Sequence, residues 1–180
     1  TTLYGGQEYE LVAAQFKATG SDITVKKVAV TIVHGDLDNP SEADAFPWQA
    51  FTSLALYDGS TKLAEIVPSQ TNAIENTFAQ SYTFNISGLN WVIPNNTTKV
   101  LTVKGTTVIN PVSTAADDHN WTITIEADQL VYTDTAGVNY SSATGSDVSR
   151  LNLKLSSTQK ATATVSLATD NPKSSNVIVS

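Results

Sequence analysis

The sequence predicts an all-β protein, an antiparallel sandwich of about nine to eleven strands. Three observations carry this. Apolar and polar residues alternate with period two along most of the chain, and helical periodicity is nearly absent. Turn signals recur roughly every 8–12 residues, the spacing of short strands folded back on one another. A parallel sheet would need crossover helices, and no segment supplies them.

Taken in order, the run ITVKKVAVTIV puts Ile23 and Val25 on one parity and Val28, Val30 and Ile32 on the other. A parity switch inside one strand predicts a bulge at Lys26-Lys27, because one extra residue returns the apolar side to the core. The stretch from His34 to Phe51 is long for a hairpin connection. Two short helix candidates stand out, Ser41 to Ala45, cut by Pro47, and Thr71 to Gln80. The run SLALYDGSTKLAEIV reads as a hairpin, with Leu54 and Leu56 inward, a turn at Asp58-Gly59, and Leu63 leading back. In WVIPNNTTKVLTV, Trp91 and Ile93 precede a Pro-Asn-Asn turn, and Leu101 and Val103 follow it. WTITIEADQLVYTD alternates Trp121, Ile123 and Ile125 and predicts a turn near Ala127-Asp128. ATATVSLATDNP alternates Val165 and Leu167 and stops at Asp170-Asn171-Pro172.

Bulk composition narrows the function. A chain of 180 residues suits one β domain that buries roughly 70% of its unfolded surface. The absence of cysteine excludes disulfides, thiolate catalysis, Cys-ligated zinc and iron–sulfur chemistry. The absence of methionine reads as a chain that was cleaved, trimmed or excised. No apolar run approaches the roughly 20 residues that span a bilayer, so no transmembrane segment is expected. A net charge of −7, with Arg150 the only arginine, does not provide the clustered cations that nucleic acid requires. An acidic, Ser/Thr/Asn-rich surface is the composition of many extracellular proteins, and the expected location is extracellular or at the cell surface.

No catalytic constellation is present. There is no G-x-S-x-G elbow, H-E-x-x-H pair or glycine-rich phosphate loop, and nothing singles out a carboxylate pair among the acidic residues. The chain is therefore expected not to be an enzyme and to need no cofactor. The densest set of oxygen ligands is Asp36, Asp38, Asn39, Glu42 and Asp44, which calcium would suit, although the spacing is not that of an EF-hand and solvated loop carboxylates are the ordinary alternative. Asp117-Asp118-His119 could meet His34 only if their loops share one end of the sandwich. Trp91 and Trp121 are in phase with core positions, whereas Trp48 beside Pro47 is the aromatic candidate for a ligand face, carbohydrate being the ligand such faces take. Five Asn-x-Ser/Thr sequons mark glycan acceptors at Asn85, Asn95, Asn96, Asn120 and Asn139.

The phrases VAAQFKATGSDITVKKVAVT, SLALYDGSTKLAE, FNISGLNWVIPNNTTKVLTVKGT and ATVSLATDNP occur here in that order. In them the chain resembles an immunoglobulin-like repeat of very long surface proteins of candidate-phylum bacteria. The resemblance implies an immunoglobulin-like antiparallel β-sandwich and a structural role, and it carries no site. It also implies that the last phrase opens a unit and that VAAQFKATG follows it, so the usual first strand lies here at the C-terminus. Three outcomes follow from that order. The terminal strand closes its own domain, or it fills the open edge of a neighbouring copy, or the boundary is accidental.

The expected organisation is a sandwich over residues 1–160 and a terminal strand segment over 161–180. Thr164, Val165, Leu167, Val177 and Val179 would carry strand exchange, and the acceptor would be an edge beside the strand from Glu10 to Ala18. The expected function is a structural subunit or repeat of a surface filament or layer, joined end to end with copies of itself. The alternative is an adhesion or carbohydrate-binding module that uses the loop from Asp36 to Trp48, with calcium as its cation.

Overall fold

The computed structural model describes residues 1–34, 46–76, 81–109 and 120–156. Eleven strands and one helical turn are formed by these residues. They are β1 (Thr2–Tyr4), β2 (Glu8–Lys17), β3 (Ile23–His34), α1 (Pro47–Ala50), β4 (Phe51–Asp58), β5 (Thr61–Ile66), β6 (Ala73–Asn76), β7 (Ser81–Ile93), β8 (Thr98–Thr107), β9 (Asn120–Asp134), β10 (Asn139–Tyr140) and β11 (Val148–Ser156). Two sheets pack face to face. The larger runs β1-β11-β9-β3-β7-β6, with β10 added on β9, and the smaller runs β2-β8-β4-β5. The all-β sandwich expected from the sequence is therefore the observed architecture. Every pairing between these strands is antiparallel except β1 on β11, which is parallel.

Alternation builds the core. Val28, Val30 and Ile32 of β3, Phe84 and Ile86 of β7, and Ile123 and Ile125 of β9 meet Leu11, Leu54, Leu56, Leu101 and Val103 of the smaller sheet, all buried. Phe51 meets Trp121 edge to face at 6.1 Å. The registers define two ends. The lower end holds Glu8, Thr107, Trp121, Tyr4 and Ser156, and the upper end holds Lys17, Thr98, Ile23 and Asp134. Strands β2 and β9 run upward, and β3, β8 and β11 run downward. Thr107, buried at the lower end, donates to the Tyr4 carbonyl at 2.6 Å and accepts from the Gln7 amide at 3.2 Å, which fixes the corner between β1 and β2.

The parity switch in β3 is a bulge. Its register shifts between Val25 and Lys27 against both neighbours, so Val25 and Val28 are both buried. The hairpin of β4 and β5 closes at Asp58 and Thr61, with Gly59 at φ 59° in the turn, a conformation that suits glycine. The Pro94-Asn95-Asn96 turn passes from one sheet to the other rather than closing a hairpin, because β7 and β8 lie in different sheets.

Two expectations are corrected. No turn interrupts the chain at Ala127-Asp128. Strand β9 runs on to Asp134 and absorbs residues 127–130 as an irregularity opposite Lys27 and Ala29, which keeps Leu130 in the core. The helix candidate from Thr71 to Gln80 contains β6, because Ala73–Asn76 gains a partner in β7. Pro47 opens a short helical turn, since its fixed φ and missing N–H suit the first helical position. The candidate from Ser41 to Ala45 lies outside the described residues.

Candidate functional site

Strand β2 is the edge of the smaller sheet, paired with β8 on one side. Its backbone directions follow from two anchors. Ala18, just beyond β2, donates to the Thr97 carbonyl and accepts from the Asn96 amide, and at the other end Gln7 accepts from the Thr107 amide of β8, so the peptide groups of both face the β8 side. Alternation then turns the N–H and C=O groups of Ala13, Gln15 and Lys17 away from β8, toward the free edge. Below them the register shifts between Glu10 and Val12, and that bulge turns the Glu10 carbonyl outward as well.

A groove of about 750 Å³ opens beside this edge, between β2 and the upper half of β9. Ala14, Phe16 and Ala18 line one wall, and Ile125, Leu130 and Tyr132 the other. Ala14 of β2 and Ala18 just beyond it are small, so this wall is shallow.

The upper mouth is built by β10 and the residues after it. Asp134 accepts from the amides of Ala136 and Val138, both at 2.9 Å, and from the Tyr140 hydroxyl at 3.1 Å. These bonds, that of Val138 foremost, hold its carboxyl below the usual range. Tyr140 stacks on Tyr132 at 5.0 Å. Ala143 donates to the Ala127 carbonyl, and the Ala127 amide donates to Asp147 at 2.8 Å.

That last contact carries Asp147 to Glu126 and Asp128, where carboxylate oxygens of the three lie within 4.8 Å of one another. Such a donor set would suit a hard cation. Among the described residues nothing beyond the carboxylates points to an ion. Burial foremost, with the charges of Asp147 and Asp128, pushes the Glu126 carboxyl up, against a bond from Thr31. A raised carboxyl favours the protonated form in the fold, so stability falls as pH rises from the unfolded value through the folded one. Glu126→Gln is therefore expected to raise the melting temperature at pH 7. The gain should vanish below about pH 4, where the wild-type group is protonated in both states. A melting series across pH 3–8 checks this, and a gain that persists at pH 3 would assign the effect to something other than ionisation.

Below the groove, Arg150 borders a smaller hollow of about 220 Å³ with Glu10, Val12 and Ala13. From β11 it donates to the Glu10 carbonyl at 2.8 Å and to the Thr1 hydroxyl at 3.1 Å. The single arginine of the chain thus joins the two sheets across the open edge.

The other sequence candidates fall elsewhere. Asp36, Asp38, Asn39, Glu42, Asp44, the Asp117-Asp118-His119 knot and the whole segment 161–180 lie outside the described residues. Trp48 is partly buried, stacked on Phe46 at 4.9 Å and edge-on to Tyr82 at 5.4 Å, so one ring face is already covered. Asn95, Asn96 and Asn139 are exposed. Asn85 and Asn120 are partly buried, each with a buried carboxamide oxygen lacking a partner among the described residues. The groove and the carboxylate trio were missed from sequence. Asp147 lies far along the chain from Glu126, and only the turn through Ala143 brings the two together.

No family model and no curated protein matches the chain. A solved structure of AvmM, which catalyses macrocyclization in alchivemycin A biosynthesis, aligns with 89% of this chain and 87% of its own, at a TM-score of 0.44 and 6% identity. A likeness of that degree carries no argument about chemistry. Among the described residues no helix is long and apolar enough to cross a membrane.

Proposed function

We propose that the protein is a structural, extracellular subunit that assembles by strand addition, with the free edge of β2 as acceptor and the segment 161–180 as donor. One observation carries this reading: the outward peptide groups of Ala13, Gln15 and Lys17 stand beside a groove of about 750 Å³ whose mixed lining includes Ala14, Phe16, Ile125 and Leu130. An added strand satisfies the edge through backbone bonds and fills the groove with every second side chain. The segment Thr164–Ala168 has the required pattern, with Val165 and Leu167 on one face and Thr164, Ser166 and Ala168 on the other. Val177 and Val179 repeat that spacing further on. Each buried aliphatic side chain would contribute roughly 1.5–3 kcal/mol to the joint. The acidic, arginine-poor composition supports the extracellular part of the reading.

Substituting both Val165→Asp and Leu167→Asp is expected to abolish higher-order species in sedimentation velocity and negative-stain microscopy while the β-sheet circular dichroism of the monomer is retained. Assemblies that persist at wild-type level in the double variant would refute the reading, as would a wild-type protein that stays monomeric at every concentration.

A further inference from the structure

Resting on the strand-addition reading, we infer that the strand seated on β2 comes from a second copy of the chain, runs antiparallel to β2, and enters from the upper end, with Arg150 as its stop. The argument is one of entrances. Strand β11 runs downward and leaves the described fold at Ser156, level with Tyr4 at the lower end. The groove lies at the other end, from Ala14 upward. The direct path from Ser156 into its own groove rises along β2, parallel to it. On that path the chain meets Arg150, whose guanidinium already occupies the outward Glu10 carbonyl and spans from β11 to the edge. Self-completion along that path competes with the Arg150 bond to the Glu10 carbonyl before the first rung at Ala13 is reached.

The upper entrance asks for no such displacement. Gly20 and Gly145 border it, and a Cβ built on either would meet nothing within 4 Å. A segment leaving the lower end of one copy meets the upper end of the next, so the contact is head to tail and extends without closing. Descending from there, the strand pairs antiparallel with β2, the slightly more stable arrangement per residue. Its free run ends where the guanidinium takes the Glu10 carbonyl.

Cysteine pairs test source and direction together, because the chain has no thiol of its own. Ala13 and Lys17 are exposed on the outer face of β2. Antiparallel seating centred on Gln15 sets Thr164 against Lys17, whereas parallel seating sets Thr164 against Ala13. After mild oxidation, a K17C/T164C chain is expected to form a ladder at multiples of the monomer mass, and an A13C/T164C chain is not. Mixing K17C chains with T164C chains should give a linked heterodimer, identified from the disulfide-joined peptides. A monomeric, internally linked A13C/T164C product would mean that the edge is filled from within the chain, and would overturn this inference together with assembly by strand addition. A ladder formed through A13C/T164C would overturn the direction alone. No link at any pair would sink strand addition itself. Arg150→Ala should open the lower entrance and raise the internally linked share of A13C/T164C. An unchanged share would remove Arg150 from the account.

Discussion

Replacing Gly105 by alanine is expected to destabilise the fold by about 1–3 kcal/mol, read as a lower urea midpoint at unchanged slope. The residue lies on β8 in phase with Leu101, Val103 and Thr107, all directed inward. It has an ordinary backbone conformation, so freedom in φ is not what selects glycine. Space is. A Cβ there would lie 2.6 Å from Leu11 Cδ1 and 3.0 Å from Phe51 Cδ1. Leu11 and Phe51 are themselves buried and have nowhere to retreat. Leu11 stands at the bulge of β2, where the register shift brings its side chain over β8. The coupling is testable in a cycle. In a Leu11→Ala background the added methyl should cost much less than in the wild type, because the two changes share one volume. Equal costs in both backgrounds would show that the clash is not with Leu11.

Asp58→Ala is expected to cost a similar amount, about 1–3 kcal/mol, because it leaves the indole N–H of Trp91 buried without an acceptor. One carboxylate oxygen of Asp58, at the end of β4, accepts from Trp91 Nε1 of the larger sheet and from Lys99 Nζ of β8, each at 2.9 Å. The Lys99 bond foremost, then that of Trp91, holds the Asp58 carboxyl below its usual value. A depressed carboxyl contributes stability that is present above the unfolded value, about 3.9, and lost as pH falls through the folded one. Asp58→Asn keeps an acceptor for the indole and removes only the charge. The gap between wild type and Asp58→Asn at pH 7 should therefore be smaller than that of Asp58→Ala. It should also close as the pH is taken below about 4. A gap independent of pH would mean that the ionised form is not what holds the hairpin to the other sheet.

Much of the fold was legible because burial enforces a period. Lys26-Lys27 betrayed the bulge by breaking parity between Val25 and Val28, and Asp58-Gly59 marked the hairpin by turn chemistry. Contacts that depend on tertiary pairing were not legible. Ala73–Asn76 has no strong strand signature and becomes a strand because β7 offers an edge. Ala127-Asp128 resembles a turn locally, yet β3 and the residues around Ala143 hold it in line. The edge near Glu10 to Ala18 was expected as an acceptor from phrase order, but the groove beside it depends on which sheet β2 joins. No periodicity states that. Arg150 was visible as a lone arginine, and its partner, a main-chain carbonyl, leaves no mark on the sequence.

The long pairing of β3, held from Ile23 to Val33 by β7 and from Ile23 to His34 by β9, has a mechanical consequence. Ladder bonds in antiparallel sheets lie across the strands. Tension applied between the upper and lower ends acts along those strands and loads the rungs in shear, all at once. A peel from the side would break them singly. The sheet is thus stiffest along the axis on which its two ends lie, and a tether pulling at either end meets the whole ladder rather than its last rung.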